Sequence, residues 1–308
     1  MATPIKSQWR WITFRCEGLS VLVFGYSGQV ARELVRLSDE LELSFIFLGR
    51  QDADLSYPEN CEEVILAREP TAVINAAAWT AVDSAETAEA EASVVNGEAP
   101  GAMARACAKL SIPFLHISTD YVFDGSGDSP WRPYDTLAPL GAYGRSKLLG
   151  EQLVQKSGAR AIILRTSWVF SAHGSNFVKT MLRLAGEQSQ LNVVGDQVGG
   201  PTSAISIARS AVTLIEALLK GAKGGTFHFA GTPDVSWAEF ASTIIDLSGL
   251  SCEIIPILSE GYPTASPRPL NSRMDCRSLF DSYGITRDPW LYDLKHILYE
   301  LKEKSNET

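Results

Sequence analysis

The chain has 308 residues, 45% of them hydrophobic and 20% charged, a composition typical of a soluble globular protein with one large or two closely joined domains. Its formal net charge of −9 argues against a general nucleic-acid-binding protein. The five cysteines are scattered without metal-ligand spacing, and neither a signal peptide nor a transmembrane segment is predicted. We therefore expect a cytoplasmic protein whose residues 1–18 are an extension ahead of the fold.

The first strand-to-helix junction has the pattern of a dinucleotide-binding turn. The apolar run Leu19–Phe24 predicts a buried strand, which leads directly into Gly25, Gly28 and a helix. Gly25 permits a tight turn, and Gly28 lets backbone amides at the helix N-terminus approach a pyrophosphate. An ordinary strand-to-helix turn is the alternative, but the position at the first βα junction favours dinucleotide binding.

The end of the second predicted strand, Ser44–Leu48, bears on the choice of cofactor. A carboxylate there would bind the adenosine ribose and select NAD, but this strand ends in Gly49 and Arg50. Arg50 can pair with a 2′-phosphate, which favours NADPH over NADH, unless it is a solvated loop residue. Asp54 and Leu55 follow closely enough to approach the adenine.

Two further strands are predicted to bring small and polar residues to the same edge of a sheet. Ala72–Asn75 continues into a run of small residues that would let a flat cofactor approach, and Thr80 to Asp83 also fits a helix-capping box. The strand Pro113–Ile117 ends in Ser118, Thr119 and Asp120, whose side chains can bind a carbonyl oxygen at the ligand edge of a parallel sheet. A turn cap is the alternative for the two hydroxyls.

Tyr143 and Lys147 lie four residues apart in a predicted helix and therefore share one face. A phenol has a pKa of about 10 in water, and a neighbouring cation lowers it, which makes the hydroxyl a usable general acid or base. Taken alone, the spacing also fits an exposed aromatic residue beside a solvated amine. Lys147 has an alternative partner in Glu151, with which it would form a surface ion pair.

The alternation of strands and helices up to residue 170, including the strand Ala161–Leu164, predicts an α/β protein with a doubly wound (Rossmann) parallel sheet. We expect a dinucleotide-binding domain over residues 19–170. Residues 171–308 are expected to form mainly a smaller α/β substrate-binding domain, with some helices returning to the sheet. In that part we predict helices over 176–185 and 203–219, an irregular passage over 193–202, the strand Thr226–Phe229 and a capping box from Ser236 to Glu239.

Taken together, the motifs resemble those of the extended short-chain dehydrogenase/reductases, and within them the dTDP-4-dehydrorhamnose reductase family. The resemblance runs from about Leu19 to near the C-terminus. The motifs that carry it are Gly25–Gln29, NAAAWTAVDSAE at Asn75–Glu86, STDYVFDG at Ser118–Gly125, YGRSK at Tyr143–Lys147, RTSWVF at Arg165–Phe170, GDQVGGPT at Gly195–Thr202 and RPLNSRMD at Arg268–Asp275.

The resemblance implies roles for individual residues. Thr119, Tyr143 and Lys147 match the catalytic triad of the family, and Asp120 and Trp168 match positions that contact the nucleotide-sugar. The positions that match the cofactor site are Gly25, Gly28, Gln29, Val30, Ala77, Ala78, Trp79 and Thr80. Ala31 replaces the third glycine of the cofactor loop. Core packing is the alternative role for Trp168, and Arg268 and Arg273 are candidates for binding the substrate diphosphate.

The resemblance also implies an activity, the reduction of the C4 ketone of dTDP-4-dehydro-L-rhamnose to dTDP-L-rhamnose by NADPH, with NADH possible. Two alternatives remain: another nucleotide-sugar epimerase or dehydratase on the same fold, and a non-catalytic NADP-binding regulatory subunit. Some relatives hold magnesium at a subunit interface, but no carboxylate cluster in this sequence predicts one, so we predict no metal site. We expect a dTDP-sugar as substrate, no nucleic-acid or membrane partner, and a possible homodimer.

Overall fold

A computed structural model of the protein describes residues 20–41 and 43–306. Two parts of the sequence predictions lie outside these residues. They are the extension over residues 1–18, which contains Cys16, and Leu19, the first residue of the predicted first strand. In the first part of the chain the strands and helices are β1 (Ser20–Phe24), α1 (Gln29–Ser38), β2 (Ser44–Leu48), α2 (Pro58–Arg68), β3 (Ala72–Asn75), α3 (Val82–Ala85), α4 (Glu89–Ser93), a π-helical segment (Val94–Glu98), α5 (Ala99–Leu110), β4 (Phe114–Thr119), α6 (Ala142–Lys156) and β5 (Ala161–Thr166).

The second part of the chain contains shorter strands between its helices. Its elements are β6 (Val169–Phe170), α7 (Phe177–Glu187), β7 (Gln190–Val194), β8 (Val198–Gly199), β9 (Thr202–Ser203), α8 (Ala204–Leu219), β10 (Gly225–His228), β11 (Val235–Ser236), α9 (Trp237–Ser248), β12 (Glu253–Ile257), β13 (Asn271–Ser272), α10 (Arg277–Tyr283) and α11 (Trp290–Asn306). Two short 3-10 turns lie at Asp120–Val122 and Ser259–Gly261.

Six parallel strands form the central sheet in the order β10-β5-β4-β3-β1-β2. The predicted doubly wound parallel sheet is therefore confirmed. Strand β10 belongs to the sheet although it comes from the part of the chain after residue 170. Helix α8 also comes from that part and packs against α1. The division of the chain at residue 170 stays a prediction.

Alternating side chains of the strands form a separate core on each face of the sheet. Val21 and Val23 of β1 point to the face covered by α1 and α8, where they join Leu34 and Ile207. The intervening residues of β1 point to the opposite face, which α2, α5 and α6 cover. Because both faces are buried, the strands are continuous apolar runs, as expected for a parallel sheet.

The second part of the chain has a core of its own around Phe240, between α7, α9 and α11. The predicted capping box at Ser236 is confirmed, since both of its hydrogen bonds are present at the start of α9. The passage over 193–202 is less irregular than predicted. It contains β8, which pairs with β11 and β13, and β9 begins at its last residue and pairs with β6. Those partners are distant in sequence, so no local pattern indicates them.

One predicted helix cap is wrong. Helix α3 begins at Val82, and its N-cap residue is Ala81, which makes no side-chain capping hydrogen bond. Asp83 instead accepts hydrogen bonds from the backbone of Ser266 (3.1 Å) and from Arg268 (2.7 Å), which lie in a distant loop. Within residues 20–41 and 43–306, no helix is both long enough and apolar enough to cross a membrane.

Candidate active site

The predicted catalytic residues come together where β4 ends against helix α6. Thr119 is the last residue of β4, and Tyr143 lies in the first turn of α6. The Thr119 hydroxyl lies close enough to the phenol of Tyr143 to lower the pKa of that phenol. The Thr119 hydroxyl also accepts from the backbone of Tyr121 (3.2 Å) and lies 3.1 Å from Asp120 Oδ1. The site therefore contains a phenol and a hydroxyl that converge at the carboxyl edge of the sheet, as in ligand sites of open parallel sheets.

Burial raises the pKa of Tyr143 to about 12; the hydrogen bond with Thr119 lowers it and the carboxylate of Asp120 raises it further. Lys147 is not among the groups that shift this pKa. The prediction that Lys147 lowers the tyrosine pKa is therefore not what this structure shows. Burial dominates because the charged phenolate loses its hydration in the protein interior. The phenol is neutral at pH 7 and keeps a proton to donate.

Lys147 is buried, with 2% of its surface exposed, one turn after Tyr143. Its Nζ donates to the backbone oxygen of Ile117 (2.8 Å) and lies 3.3 Å from His116 Nε2. Burial lowers the pKa of the amine to about 8, and the charge of Glu151 opposes this shift. Lys147 is absent from the ion pairs of the residues described.

The alternative of a surface ion pair between Lys147 and Glu151 is wrong. Glu151 is 1% exposed and pairs with Arg165 of β5, which is equally buried. Its carboxylate accepts from Arg165 Nε (2.9 Å), Arg165 Nη2 (2.6 Å) and Ser118 Oγ (2.5 Å). Arg165 also donates to the backbone oxygen of Pro133 (3.0 Å) and lies near His228 Nε2 (3.3 Å). The hydrogen bonds of this network connect α6 to β4, to β5 and to the loop before α6.

Asp120 is buried beside Thr119, and its Oδ2 has no protein partner. Burial raises the pKa of this carboxyl to about 6, although hydrogen bonds from Ser272 and Thr119 lower it. An unpaired buried carboxylate oxygen is costly unless a ligand satisfies it. Asp120 therefore has the character of a ligand-binding group next to the phenol.

Trp168 packs within the protein. Its ring stacks on Trp237 with centroids 3.5 Å apart and planes at 9°, and its indole lies against Gly199. Its backbone has a φ of +49°, in the left-handed region that a bulky residue rarely adopts. Such strain is concentrated at functional sites. The half-buried ring is positioned by α9 and by the strand β8.

The residues of the first βα turn fit a dinucleotide. Gly25 has a φ of +120°, and a Cβ there would lie 3.2 Å from the backbone carbon of Ala76. Gly28 precedes α1, whose N-terminus has neither a side-chain cap nor an acidic residue in its first turn. A Cβ on Gly28 would meet only Ala76 O, at 3.9 Å, so the protein leaves room beside it. This uncapped helix end with space in front of it suits a pyrophosphate.

The neighbouring predicted cofactor residues lie around this turn. Gln29 Oε1 accepts from Ser171 (3.1 Å) and Asn176 (2.9 Å), so its side chain binds the second part of the chain. Val30 is buried in the core below the turn. The segment Ala77–Thr80, which follows β3, is the predicted wall of the cofactor site. Ala77 in it is half-buried, and Ala78 and Thr80 are exposed.

Asn96, in the π-helical segment, holds the wall at Trp79. Its amide accepts from Trp79 N (2.8 Å) and donates to Trp79 O (3.0 Å) and to Ser146 Oγ (3.0 Å). The sequence analysis missed Asn96, and no local pattern indicates it, because its partners are 17 and 50 residues away. Asn75, His116, Glu151, Arg165 and His228 were missed as parts of the site for the same reason.

The remaining predicted residues lie at the margins of the site. Arg50 is largely exposed at the end of β2, 3.8 Å from Asp54, while Leu55 packs into the core. Arg268 pairs with Asp83, and its buried Nη1 has no protein partner. Arg273 donates to Asn271 Oδ1 (3.1 Å). Among residues 20–41 and 43–306, no group of three or more His, Cys, Asp or Glu side chains is arranged to hold a metal ion.

Comparisons with known proteins agree with this geometry. Residues 19–303 match the family model described as the RmlD substrate binding domain. The chain is 41% identical to the dTDP-4-dehydrorhamnose reductase of Burkholderia thailandensis over 287 residues, which cover 89% of this chain and 96% of that one.

Two solved structures share the fold over 92% of the chain. The Clostridium acetobutylicum dTDP-4-dehydrorhamnose reductase is 33% identical, with a TM-score of 0.87 and all of its chain covered. The Bacillus anthracis enzyme, solved with NADP, is 30% identical, with a TM-score of 0.85 and 99% covered. The chain therefore belongs to the RmlD family, which includes the dTDP-4-dehydrorhamnose reductases.

Proposed function

We propose that this protein reduces the C4 ketone of dTDP-4-dehydro-L-rhamnose to dTDP-L-rhamnose, with NADPH or NADH as the hydride donor. The observation that carries the proposal is the meeting of Thr119, Tyr143 and Lys147 at the carboxyl edge of a parallel sheet. Relatives named for this reaction match the chain over nearly its whole length. When bound, the nicotinamide cofactor supplies the hydride to the carbonyl carbon.

Tyr143 acts as the general acid. Its pKa of about 12 keeps the phenol protonated at neutral pH, which is the form needed to give a proton to the forming alkoxide. The Thr119 hydroxyl, next to the phenol, holds the carbonyl oxygen beside it. Lys147 lies one helical turn further along α6, and we assign it to binding the nicotinamide ribose.

The cofactor is held by the first βα turn and the wall after β3. The amides that follow Gly28 at the N-terminus of α1 would hold the pyrophosphate, and the segment from Ala77 to Thr80 would form a wall beside the cofactor. The exposed Arg50 would pair with the 2′-phosphate of NADPH, and we therefore propose NADPH as the preferred cofactor. A relative solved with NADP supports this assignment.

The substrate is bound by side chains from both parts of the chain. Asp120 offers its unpaired Oδ2 to a sugar hydroxyl, and Trp168 contributes the edge of its stacked ring. Arg268 directs its unpaired Nη1 to the diphosphate. This assignment agrees with a substrate-binding role for residues 171–308, and we also propose a cytoplasmic location and a homodimer.

An absorbance assay tests the activity. NADPH oxidation at 340 nm is followed with dTDP-4-dehydro-L-rhamnose, and then with NADH in its place. A reductase consumes one cofactor per substrate, whereas an epimerase or dehydratase returns the hydride and shows no net loss. Absence of oxidation with either cofactor would refute the proposal.

The Tyr143→Phe variant tests the mechanism. We expect normal NADPH affinity and a loss of kcat of about 10²–10⁴-fold, the usual contribution of a general acid. Tyr121→Phe is the matched control, because Tyr121 is a neighbouring buried phenol whose ring centroid is 5.5 Å from that of Tyr143. The control should keep kcat within a few-fold. Equal kcat values in the two variants would rule out Tyr143 as the proton donor.

A further inference from the structure

The loop over residues 262–270 holds two buried polar atoms that no group of the described residues binds. It joins the 3-10 turn at Ser259–Gly261 to β13 and comes from the second part of the chain. The two atoms are the hydroxyl oxygen of Ser266, which is 0% exposed, and Nη1 of Arg268. A buried polar atom without a partner is costly unless a ligand supplies one. The Arg268 side chain is 19% exposed and therefore remains within reach of a ligand.

Asp83 fastens this loop to the helix that follows the predicted cofactor wall. Its Oδ1 accepts from the backbone N–H of Ser266 (3.1 Å), and its Oδ2 accepts from Arg268 Nη2 (2.7 Å). Both carboxylate oxygens therefore bind the same loop. Asp83 is the second residue of α3, which begins two residues after Thr80, the last residue of the wall. One carboxylate thus connects the second part of the chain to the segment beside the cofactor.

The loop is also packed closely against the start of helix α6. A Cβ on Gly141, the N-cap residue of α6, would collide with Ser266 Oγ and with Glu86 Oε1. Glu86, which directly follows α3, accepts a hydrogen bond from Ala142 N in the first turn of α6 (2.9 Å). The loop and the end of α3 therefore meet at the helical turn that carries Tyr143, so the position of the loop is fixed relative to the proton donor.

The pairing with Asp83 determines where the rest of the Arg268 guanidinium points. The group is planar and carries five N–H donors in a rigid fork, so a fixed Nη2 also fixes the direction of Nη1. Burial raises the pKa of the Tyr121 phenol, and the charge of Arg268 lowers it, which places the guanidinium near that phenol. The Tyr121 ring packs edge-on against Tyr143, with centroids 5.5 Å apart. Arg268 therefore lies in the neighbourhood of the proposed proton donor.

The carboxylate contributes direction more than stability. The Asp83 side chain is 49% exposed, and ion pairs that are open to solvent contribute little to the free energy of unfolding. Its two oxygens serve one backbone N–H and one guanidinium N–H of the same loop. An asparagine has a single acceptor oxygen and an NH₂ group, so it cannot accept both bonds. The arrangement therefore depends on a carboxylate at this position.

We propose that Asp83 is a positioning residue that directs the guanidinium of Arg268 at the diphosphate of the nucleotide-sugar. The inference rests on the proposed function for the chemistry of its ligand, a nucleoside diphosphate ester. Nη1 carries two N–H donors that can bind phosphate oxygens, and such charge-assisted hydrogen bonds are strong. Asp83 itself does not contact the diphosphate and acts through Arg268.

Binding of dTDP, measured by calorimetry with NADPH present, is the first test and needs no reduction. Asp83→Asn should lose about tenfold or more in dTDP affinity, because Arg268 loses the acceptor that directs it. Charge repulsion alone gives the opposite sign, since removing a carboxylate near an anion raises the affinity of that anion. A dTDP affinity in Asp83→Asn that equals or exceeds that of the wild type would overturn the proposal.

A double variant tests whether Asp83 acts through Arg268. Arg268→Gln should itself lose dTDP affinity, and adding Asp83→Asn to it should cause no further loss, because the group to be directed is gone. Losses that add in the double variant would contradict the proposal. NADPH affinity should stay at the wild-type value in all three variants. An equal loss of NADPH and dTDP affinity in Asp83→Asn would mean general damage to the site and would also overturn the proposal.

Two other variants complete the series. Asp83→Glu keeps the charge but moves both acceptor oxygens by one methylene group, so it should lose dTDP affinity even if Asp83→Asn does not fold. Wild-type dTDP affinity in Asp83→Glu would refute the positioning role. Glu187→Gln is the matched control for charge, because it breaks an exposed pair with Arg183 on α7 (3.1 Å). This control should bind dTDP as the wild type does.

The outcomes separate this inference from the proposed function. In an active reductase, Asp83→Asn should raise the KM for the ketone substrate in parallel with the loss of dTDP affinity, while kcat stays within a few-fold. If no ketone reduction is found, a selective loss of dTDP affinity still supports the inference, and only the proposed function fails. A wild-type protein that does not bind dTDP would overturn the inference even if it reduces the ketone.

Discussion

Replacing Glu151 by glutamine tests whether the buried network below the site holds α6 in place. The carboxylate accepts two hydrogen bonds from Arg165 and one from Ser118, and both members of the ion pair are 1% exposed. Glutamine has the same shape but carries one acceptor oxygen and an NH₂ group. At least one guanidinium N–H therefore loses its acceptor, and the buried charge of Arg165 is left without a counter-ion.

The expected loss follows from the cost of an unpaired buried charge. Breaking a buried ion pair by removing one partner costs about 3–5 kcal/mol in the free energy of unfolding. That is a large share of the about 5–15 kcal/mol that stabilises a typical domain. Glu151→Gln should therefore lose about 3–5 kcal/mol, whereas a surface pair would lose only about 0–1 kcal/mol.

Urea unfolding followed by tryptophan fluorescence measures the difference. Glu89→Gln is the matched control, because Glu89 forms a two-point pair with Arg145 of the same helix (2.7 and 2.8 Å), with both side chains over 40% exposed. The control should lose about 1 kcal/mol or less. If Glu151→Gln were no less stable than Glu89→Gln, the ion pair would not be the support that its burial implies.

Four further substitutions test the binding residues. Gly25→Ala should lower the urea concentration at the midpoint of unfolding, because a φ of +120° strains any side chain. Gly28→Ala should keep the wild-type midpoint but lose at least tenfold in NADPH affinity, measured by calorimetry. In the wild type, kcat/KM should fall below pH 6 as Asp120 is protonated, and Asp120→Asn should lack this decrease. Arg50→Gln should lower the ratio of NADPH to NADH affinity at least tenfold, and an unchanged ratio would remove Arg50 from the phosphate site.

The sheet could be predicted from the sequence because its strands are local, apolar runs. Strands β1, β3, β4 and β5 are buried on both faces, and the half-buried edge strand β2 is also an apolar run, so each differs in composition from the loops around it. Strands of two residues, such as β8 and β9, carry too little pattern of their own. They form because Trp168, Ser236 and Asn271 bring distant segments alongside them.

The position of Thr119, Tyr143 and Lys147 could be predicted from the sequence, but the electrostatics around them could not. The spacing of Tyr143 and Lys147 follows from helical geometry, and Thr119 follows from its position at a strand end. The pKa of Tyr143 depends instead on how completely the site is buried. The pairing of Glu151 depends on Arg165, which is close in space only because β4 and β5 are neighbours.

Helix α6 presents three ionisable groups to β4 at intervals of four residues, namely Tyr143, Lys147 and Glu151. Each meets a different part of that strand: the phenol meets Thr119, the amine meets His116 and Ile117, and the carboxylate meets Ser118. The first two are proposed to work on ligands, while the third forms a buried ion pair with Arg165. A helix fixed at its far end by an ion pair cannot rotate without moving its tyrosine. Mutations of the network should therefore affect proton transfer by displacing Tyr143.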